Sequence, residues 1–187
     1  MDYSAEYVSP LGVITLASDG DHLNGLWLEG QKYFGSTLAV NAVPCHRLSV
    51  FSAVSAWLDR YFAGEHPDPT KIPLAPRGSD FRQLIWKLLL EIPYGSVTTY
   101  GALAKQAAVL LGRTSMSAQA VGGAVGHNPI SILIPCHRVI GTGGRLTGYA
   151  GGIERKQFLL RLEGANSDLF TVPGQGSSLR TGLEETR

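Results

Sequence analysis

The only two cysteines of this 187-residue chain sit in the same tetrapeptide, Pro44-Cys45-His46-Arg47 and Pro135-Cys136-His137-Arg138. The thiolate is the nucleophilic form of cysteine, and basic or cationic neighbours favour it. The two settings differ. Cys45 lies between a polar, loop-like stretch and the start of an amphipathic segment, "LSVFSAV". A partly buried, idle thiol is expected there, and coincidence accounts for the repeat. Cys136 follows the apolar "ISILIP" and precedes the glycine-rich "GTGGRLTGYAGG". Pro135 removes a backbone donor and breaks the run, which would deliver the thiol at the end of a rigid element. Neighbours on an extended chain point to opposite faces, so His137 is expected to reach Cys136 only through a bend or a bridging water. A buried structural cysteine is the competing reading. Glu163 is a third candidate. Acid in the last turn of a helix opposes the dipole by roughly a few tenths of a kcal/mol. A carboxylate that orients an imidazole would account for the position, and so would solvated surface. Cys, His and Glu together would form a nucleophile, base and orienter.

The elements that must position these residues follow from pattern. Residues 7–35 alternate apolar and polar, with "PLG" and "SDGD" as turn signals, and read as two or three short strands. Residues 48–64 place Val50, Phe51, Val54, Trp57, Leu58, Tyr61 and Phe62 at helical spacing, stopped by Gly64. "GEHPDPTKIPLAPRGS" reads as a linker, with a domain boundary near residue 78. Ser79 or Asp80 would cap a helix facing inward through Phe81, Leu84, Ile85, Leu88 and Leu89 and ended by Pro93. "TTYGALAKQAAVLLG" is a second helix capped by Thr98 or Thr99, and "SAQAVGGAVGHN" a short third one of small residues. Helix, loop, small-residue helix is a helix-turn-helix pattern. "ISILIP" is expected to be buried and extended, and "IERKQFLLRLEG" a last helix closed by Gly164. The expected class is α+β: a small N-terminal α/β domain over 1–78 (antiparallel sheet plus helix), then a mainly helical domain over 79–164. Residues 165–187 are Gly/Ser-rich and expected to be mobile or weakly packed.

Composition sets the classes to consider. Apolar residues are 44% and charged residues 17%, enough for a core. No apolar run approaches the ~20 residues of a membrane-spanning helix. A secretory leader is not expected, nor a disulfide between the two cysteines. A cytoplasmic protein is expected, associated with the nucleoid in a bacterium. No C-x-x-C or H-E-x-x-H is present, so no metal is expected. Net charge is −3 over 1–79, +5 over 80–164 and −1 over 165–187. The basic middle segment is either a polyanion-binding face or ordinary surface variation.

"NPISILIPCHRVIG", "LTGYAGG" and "RKQFLLRLEG" resemble the O6-alkylguanine-DNA alkyltransferases, the methylated-DNA–protein-cysteine methyltransferases. The resemblance is strongest over residues 79–164, including "DFRQLIWKLLLEIPYGSVTTYGALA", and looser in "SPLGVITLASDG" and "LDRYFAG". It implies that Cys136 takes the alkyl group from O6 of guanine, or O4 of thymine, irreversibly and without a cofactor. His137 would act through a water, Glu163 would orient His137, and Asn128 would tie the helix-turn-helix to the active-site segment. Tyr100 would help rotate the nucleotide out and donate to the base. Tyr149, Val139 and Ala150 would line the base pocket. The small-residue helix, through Ala118, Gln119, Ala120, Gly122 and Gly123, together with Arg138, would meet double-stranded DNA in the minor groove, with the protein acting as a monomer.

Taken by residue type alone, Asn128 also fits an Asn-Pro turn, Tyr100 a core edge, and the small-residue helix tight packing. Two departures stand out. The family often carries Arg where this chain has Gln119, and "AAVLLGRTSMS" is longer than the usual turn. Competing functions are a lesion-binding module, which Cys136 argues against, and a helix-turn-helix regulator, for which the helix has few base-reading side chains. A Cys-His hydrolase would need an oxyanion hole that the sequence does not display.

Overall fold

The computed structural model of the protein describes residues 1–165, 170 and 171. Strands β1 (Tyr3–Ser9), β2 (Gly12–Ser18) and β3 (Leu23–Leu28) form an antiparallel meander. A two-residue β4 (Val43–Pro44) adds in parallel to β1, giving the order β3-β2-β1-β4. The Cys45 copy of the tetrapeptide therefore lies on a sheet edge, where Cys45 N donates to Ser4 O and the thiol is half-buried. Helix α1 (Ser49–Phe62) packs on the sheet through Val50, Phe51, Val54, Trp57, Leu58 and Tyr61, the set its spacing predicts apart from a half-buried Phe62.

β3 is buried along its whole length because its free edge is covered. Leu23 exchanges backbone hydrogen bonds with Pro73 and Ala75 of the linker. Leu26 does the same with Pro129 and Ser131, just ahead of the Cys136 motif. The first sheet thus holds the segment that presents the thiol. One apolar cluster runs through both halves, from Ala5 and Leu16 to Val125, Ile134 and Leu159.

The second half is helical. Helix α2 (Asp80–Leu90) is capped by Ser79, whose hydroxyl accepts from Arg82 N. Trp86, absent from the predicted inner face, is buried with its indole N–H donated to Ala124 O at 2.9 Å. Phe81 and Leu84 are only half-buried. A two-residue β5 (Thr98–Thr99) leads into α3 (Tyr100–Leu110), with Thr99 as the cap. Helix α4 (Ala118–Gly126) follows, capped by the Ser117 hydroxyl. α3 and α4 pack together as the helix-turn-helix pattern requires, and α2 packs on α4. β5 pairs in parallel with β6 (Val139–Ile140), and α5 (Ile153–Leu162) closes the described fold.

Two expectations change. "ISILIP" is buried but not extended: it is coiled into turns, with Leu133 N bonded to Ser131 O, Ile134 N to Ile130 O, and Ile132 at φ 70. A buried segment must pair its own backbone, and with only Leu26 alongside it does so by turning. The stretch from 165 was expected to be mobile or to pack only weakly, yet Ala165 is buried, Phe170 packs on the cluster of Ile140, Leu146, Leu160 and Ala165, and Thr171 pairs with Gly144 and Leu146. The rest of that expectation, residues 166–169 and 172–187, lies outside the described residues.

Candidate active site

Cys136 begins a single 3-10 turn, Cys136–Arg138, that follows the coiled segment and runs into β6. This turn is the bend that an imidazole next to a thiol in sequence requires. The thiol is buried and accepts from Asn128 Nδ2 at 3.1 Å. The same amide donates to Ile134 O at 2.8 Å and Ile130 O at 3.3 Å, and Asn128 Oδ1 accepts from Ile130 N at 3.0 Å. One side chain after α4 therefore fixes both the approach to the turn and the sulfur. Burial pushes the Cys136 thiol above its ordinary range, while the Asn128 donor and the Lys156 charge pull the other way.

His137 is fully buried and donates Nε2–H to Glu163 Oε1 at 2.7 Å. With Nε2 engaged, the neutral ring leaves Nδ1 as an acceptor, and among the described residues Nδ1 has no hydrogen-bond partner. Burial lowers the imidazole's pKa, opposed by the Glu163 hydrogen bond. Glu163 sits one residue past the last turn of α5, at its C-cap. Burial alone would raise its carboxyl, but His137 and Arg138 outweigh burial and hold it far below the carboxylate range. Arg138 supplies a fork, Nε to Oε2 at 2.8 Å and Nη2 to Oε1 at 3.0 Å. Gly95 N also faces Oε2 at 3.3 Å. Gly95 has φ +72, and a Cβ there would lie 2.7 Å from Glu163 O, so the turn "PYGS" can close on Glu163 only as glycine.

Arg138 corrects the sequence reading, which placed it on the DNA side. Its fork grips Glu163, Nη1 donates to Ile92 O at 2.6 Å, and its guanidinium lies over the Tyr94 ring. All its donor groups point inward, because an anionic carboxylate buried at the end of α5 needs a cation.

Tyr100 opens α3 and donates to Thr147 O at 3.2 Å or Gly148 O at 3.3 Å. Burial pushes its pKa up to about 12. Gly148, at φ +67, would place a Cβ 3.0 Å from the Tyr100 hydroxyl. Tyr149 is buried with its O–H unpartnered among the described residues. Val139 is buried, and its carbonyl accepts from Lys156 Nζ at 2.5 Å. On α4, Ala118, Gln119, Ala120 and Gly123 are exposed and Gly122 is half-buried against the Tyr100 ring, while Val121, Ala124 and Val125 face the core. Between this edge and Gly148–Ala150 lies a cleft of about 240 Å³. The structure brings Cys136, His137, Glu163 and Asn128 into one cluster, while Tyr149 lines the cleft, whose walls include none of these four.

Several residues of the site were not anticipated. Lys156, fully buried on α5, donates to Val139 O and to Thr147 O at 2.9 Å, and burial pushes its pKa down to about 8. The signal was its place on the stripe Ile153, Lys156, Leu159, Leu160. Tyr61 of α1 reaches Glu163 from the first half of the chain, and its hydroxyl at a core position of an amphipathic helix was the signal. Lys32, Tyr33 and His127 line the cleft, with Tyr33 stacked on His127 at 3.9 Å, and no pattern marks them in the sequence.

Comparison with known proteins places this geometry among its relatives. Residues 80–165 match the family described as 6-O-methylguanine DNA methyltransferase, DNA binding domain. Residues 3–76 match the 6-O-methylguanine DNA methyltransferase, ribonuclease-like domain. A methylated-DNA–protein-cysteine methyltransferase of Haemophilus influenzae is 43% identical over 164 residues, covering 86% of each chain. One from Mycobacterium tuberculosis is 46% identical over 155 residues, covering 83% of this chain and 88% of its own. A crystal structure of Mycobacterium tuberculosis OGT in complex with DNA superposes with TM-score 0.75 at 43% identity, covering 89% of this chain and 97% of that one.

Proposed function

The chain belongs to the methylated-DNA–protein-cysteine methyltransferase family, and from that premise we propose that Cys136 is its alkyl acceptor, with His137 as base, Glu163 as orienter and Asn128 as the donor that steadies the sulfur. The observation that carries this is the buried chain of contacts from Asn128 to Cys136 Sγ and from His137 Nε2 to Glu163, with His137 Nδ1 left to accept.

The thiol proton passes through a water to His137 Nδ1. The sulfur lone pair then attacks the alkyl carbon of O6-alkylguanine, or of O4-alkylthymine. The carbon–oxygen bond breaks and its electron pair stays on the base, which takes up a proton to become the neutral, dealkylated base. Tyr100, still protonated because burial pushes its pKa to about 12, donates to the base. The step balances without a cofactor. It also runs once, because the product is a thioether and no group in the site hydrolyses a carbon–sulfur bond.

An in-line attack needs the lesion out of the stack, and extrusion costs a few kcal/mol, least where pairing is already weak. The cleft between α4 and Tyr149–Ala150 is where the extruded base would lodge. The exposed edge of α4, Ala118, Gln119, Ala120 and Gly123, lets a helix approach the minor groove closely. Gln119 takes the space the base leaves. Double-stranded DNA is the partner of a monomer, in the cytoplasm. No helix among the described residues is long and apolar enough to cross a membrane.

The test uses an oligonucleotide duplex carrying O6-methylguanine with labelled methyl. One label per protein on a Cys136 peptide, and none with Cys136→Ser, is the expected result. Label on the Cys45 peptide, or repeated turnover, would overturn the proposal.

A further inference from the structure

Glu163 is served by donors from four residues in three places in the chain. Oε1 accepts from His137 Nε2 at 2.7 Å, Arg138 Nη2 at 3.0 Å and the Tyr61 hydroxyl at 2.7 Å. Oε2 accepts from Arg138 Nε at 2.8 Å and faces Gly95 N at 3.3 Å. Arg138 and Gly95 already neutralise and orient the carboxylate. Tyr61 adds a further O–H to the same oxygen that holds the imidazole. It comes from α1, 102 residues away, and it is held rigidly: its ring stacks on Trp57 at 5.1 Å and meets Phe62 and Tyr94 edge-on.

We propose that Tyr61 is a positioning residue through which the first half of the chain sets the basicity of His137: its hydroxyl shares Glu163 Oε1 with the imidazole and weakens that oxygen's pull on the Nε2 proton. This rests on the reading of Cys136 and His137 given above. A carboxylate that accepts from several donors loses proton affinity, by very roughly one pKa unit per donor. Part of that loss passes to the ring it faces. A less basic His137 keeps the resting pair as thiol and imidazole rather than thiolate and imidazolium. For a sulfur that is consumed once, this limits reaction with stray electrophiles. Tyr61 remains a donor throughout, since burial and then the Glu163 charge hold its own pKa well above the ordinary value.

The groups facing this cluster come from several elements. Tyr61 comes from α1, His137 and Arg138 from the 3-10 turn, and Tyr94 and Gly95 from the turn after α2. Lys156 of α5 and Tyr149 of the glycine-rich loop act on His137 and Tyr61 at longer range. Tyr94 spends its hydroxyl on Leu162 O, and His66 stacks on its ring at 3.7 Å. Of these side chains Tyr61 is the one neutral donor on the carboxylate whose hydrogen can be deleted with the ring kept.

The test is Tyr61→Phe, with unfolding measured to show that the ring still packs. Two readouts are followed against pH: NMR titration of His137, and the rate at which iodoacetamide alkylates Cys136 without DNA. Deleting the O–H should move the His137 titration and the acid limb of the alkylation profile upward by about half a unit to one unit. The plateau rate should rise about three- to tenfold. Fluorotyrosine placed at position 61, a stronger donor, should move both the other way. A limb that stays in place in Tyr61→Phe, whatever the plateau does, overturns the proposal, because loss of packing alone would slow the reaction without moving His137. Both readouts work without alkylated DNA. A wild-type protein that fails to dealkylate the duplex would therefore sink the functional reading and leave this one separately decided.

Discussion

Replacing Asn128 by Ala removes one side chain that does two separable jobs. The first is structural. The amide accepts from Ile130 N and donates to Ile134 O, both buried. Ile130 N is left without a partner, while Ile134 O loses one of two donors and keeps Cys136 N at 2.8 Å, at a cost on the order of 2 kcal/mol. For a chain of this size that is a fall in Tm of roughly 4–8 °C. The second job is electrostatic. Nδ2 donates to Cys136 Sγ at 3.1 Å, a bond that strengthens when sulfur becomes an anion. A hydrogen bond to a charged group is worth about 1.5–3 kcal/mol. Losing it raises the thiol pKa by about one to two units, or roughly 10- to 100-fold in thiolate at neutral pH. The sign follows from the anion being the stabilised form: burial already pushes the thiol up, Asn128 opposes it, and the variant drifts further up. The rate deficit should therefore be largest near neutrality and shrink as pH rises. The assay is single-turnover transfer from the methylated duplex across pH, well below the variant's melting point, paired with denaturant unfolding. A variant that is destabilised but transfers at the wild-type rate, or one whose deficit is the same at every pH, would refute the role given to Nδ2.

Two further outcomes are expected. The Lys156 pKa of about 8 in the folded protein lies below the ~10.4 of an unfolded lysine, so between these values the unfolded chain holds a proton that the folded one lacks. Stability to denaturant should then rise from pH 8 toward pH 10, with a slope of up to about 1.4 kcal/mol per unit, and Lys156→Met should flatten it. A wild-type profile that falls over this window would contradict the burial of a strained ammonium. Gln119→Arg puts a cation on the exposed edge of α4 and should tighten duplex binding, with the slope of log affinity against log salt steeper by about one. Equal slopes for the two proteins would show that position 119 does not approach phosphate.

The helices were legible because their signals are local. Apolar spacing and the hydroxyl caps Ser79 and Thr99 are written within a few residues of each other, and α1, α2 and α3 lie where those signals put them. The proposed choice between cysteines rests on local signals too. A proline, an apolar run before and glycines after distinguish Cys136 from Cys45 without any knowledge of what lies across the fold. "ISILIP" shows where locality fails. Its composition fixes burial, but whether it extends or coils depends on which backbone groups the chain brings alongside, and here Leu26 of β3 is the partner.

The roles of charged residues were decided later still. Arg138 beside a candidate nucleophile reads as readily toward DNA as toward the interior. Its direction is settled by Glu163, a buried carboxylate 25 residues on that requires a cation. Tyr61 and Lys156 carry the same lesson: a polar atom at the apolar stripe of a helix announces in the sequence that it needs a partner, and only the packing of α1 and α5 against the rest of the chain says which one. Sequence alone determined the elements and singled out Cys136 as the candidate nucleophile, because those follow from short-range propensity and residue chemistry. The tertiary structure decided which way the ionisable groups are shifted, because hydrogen-bond partners and dielectric are set by residues far apart along the chain.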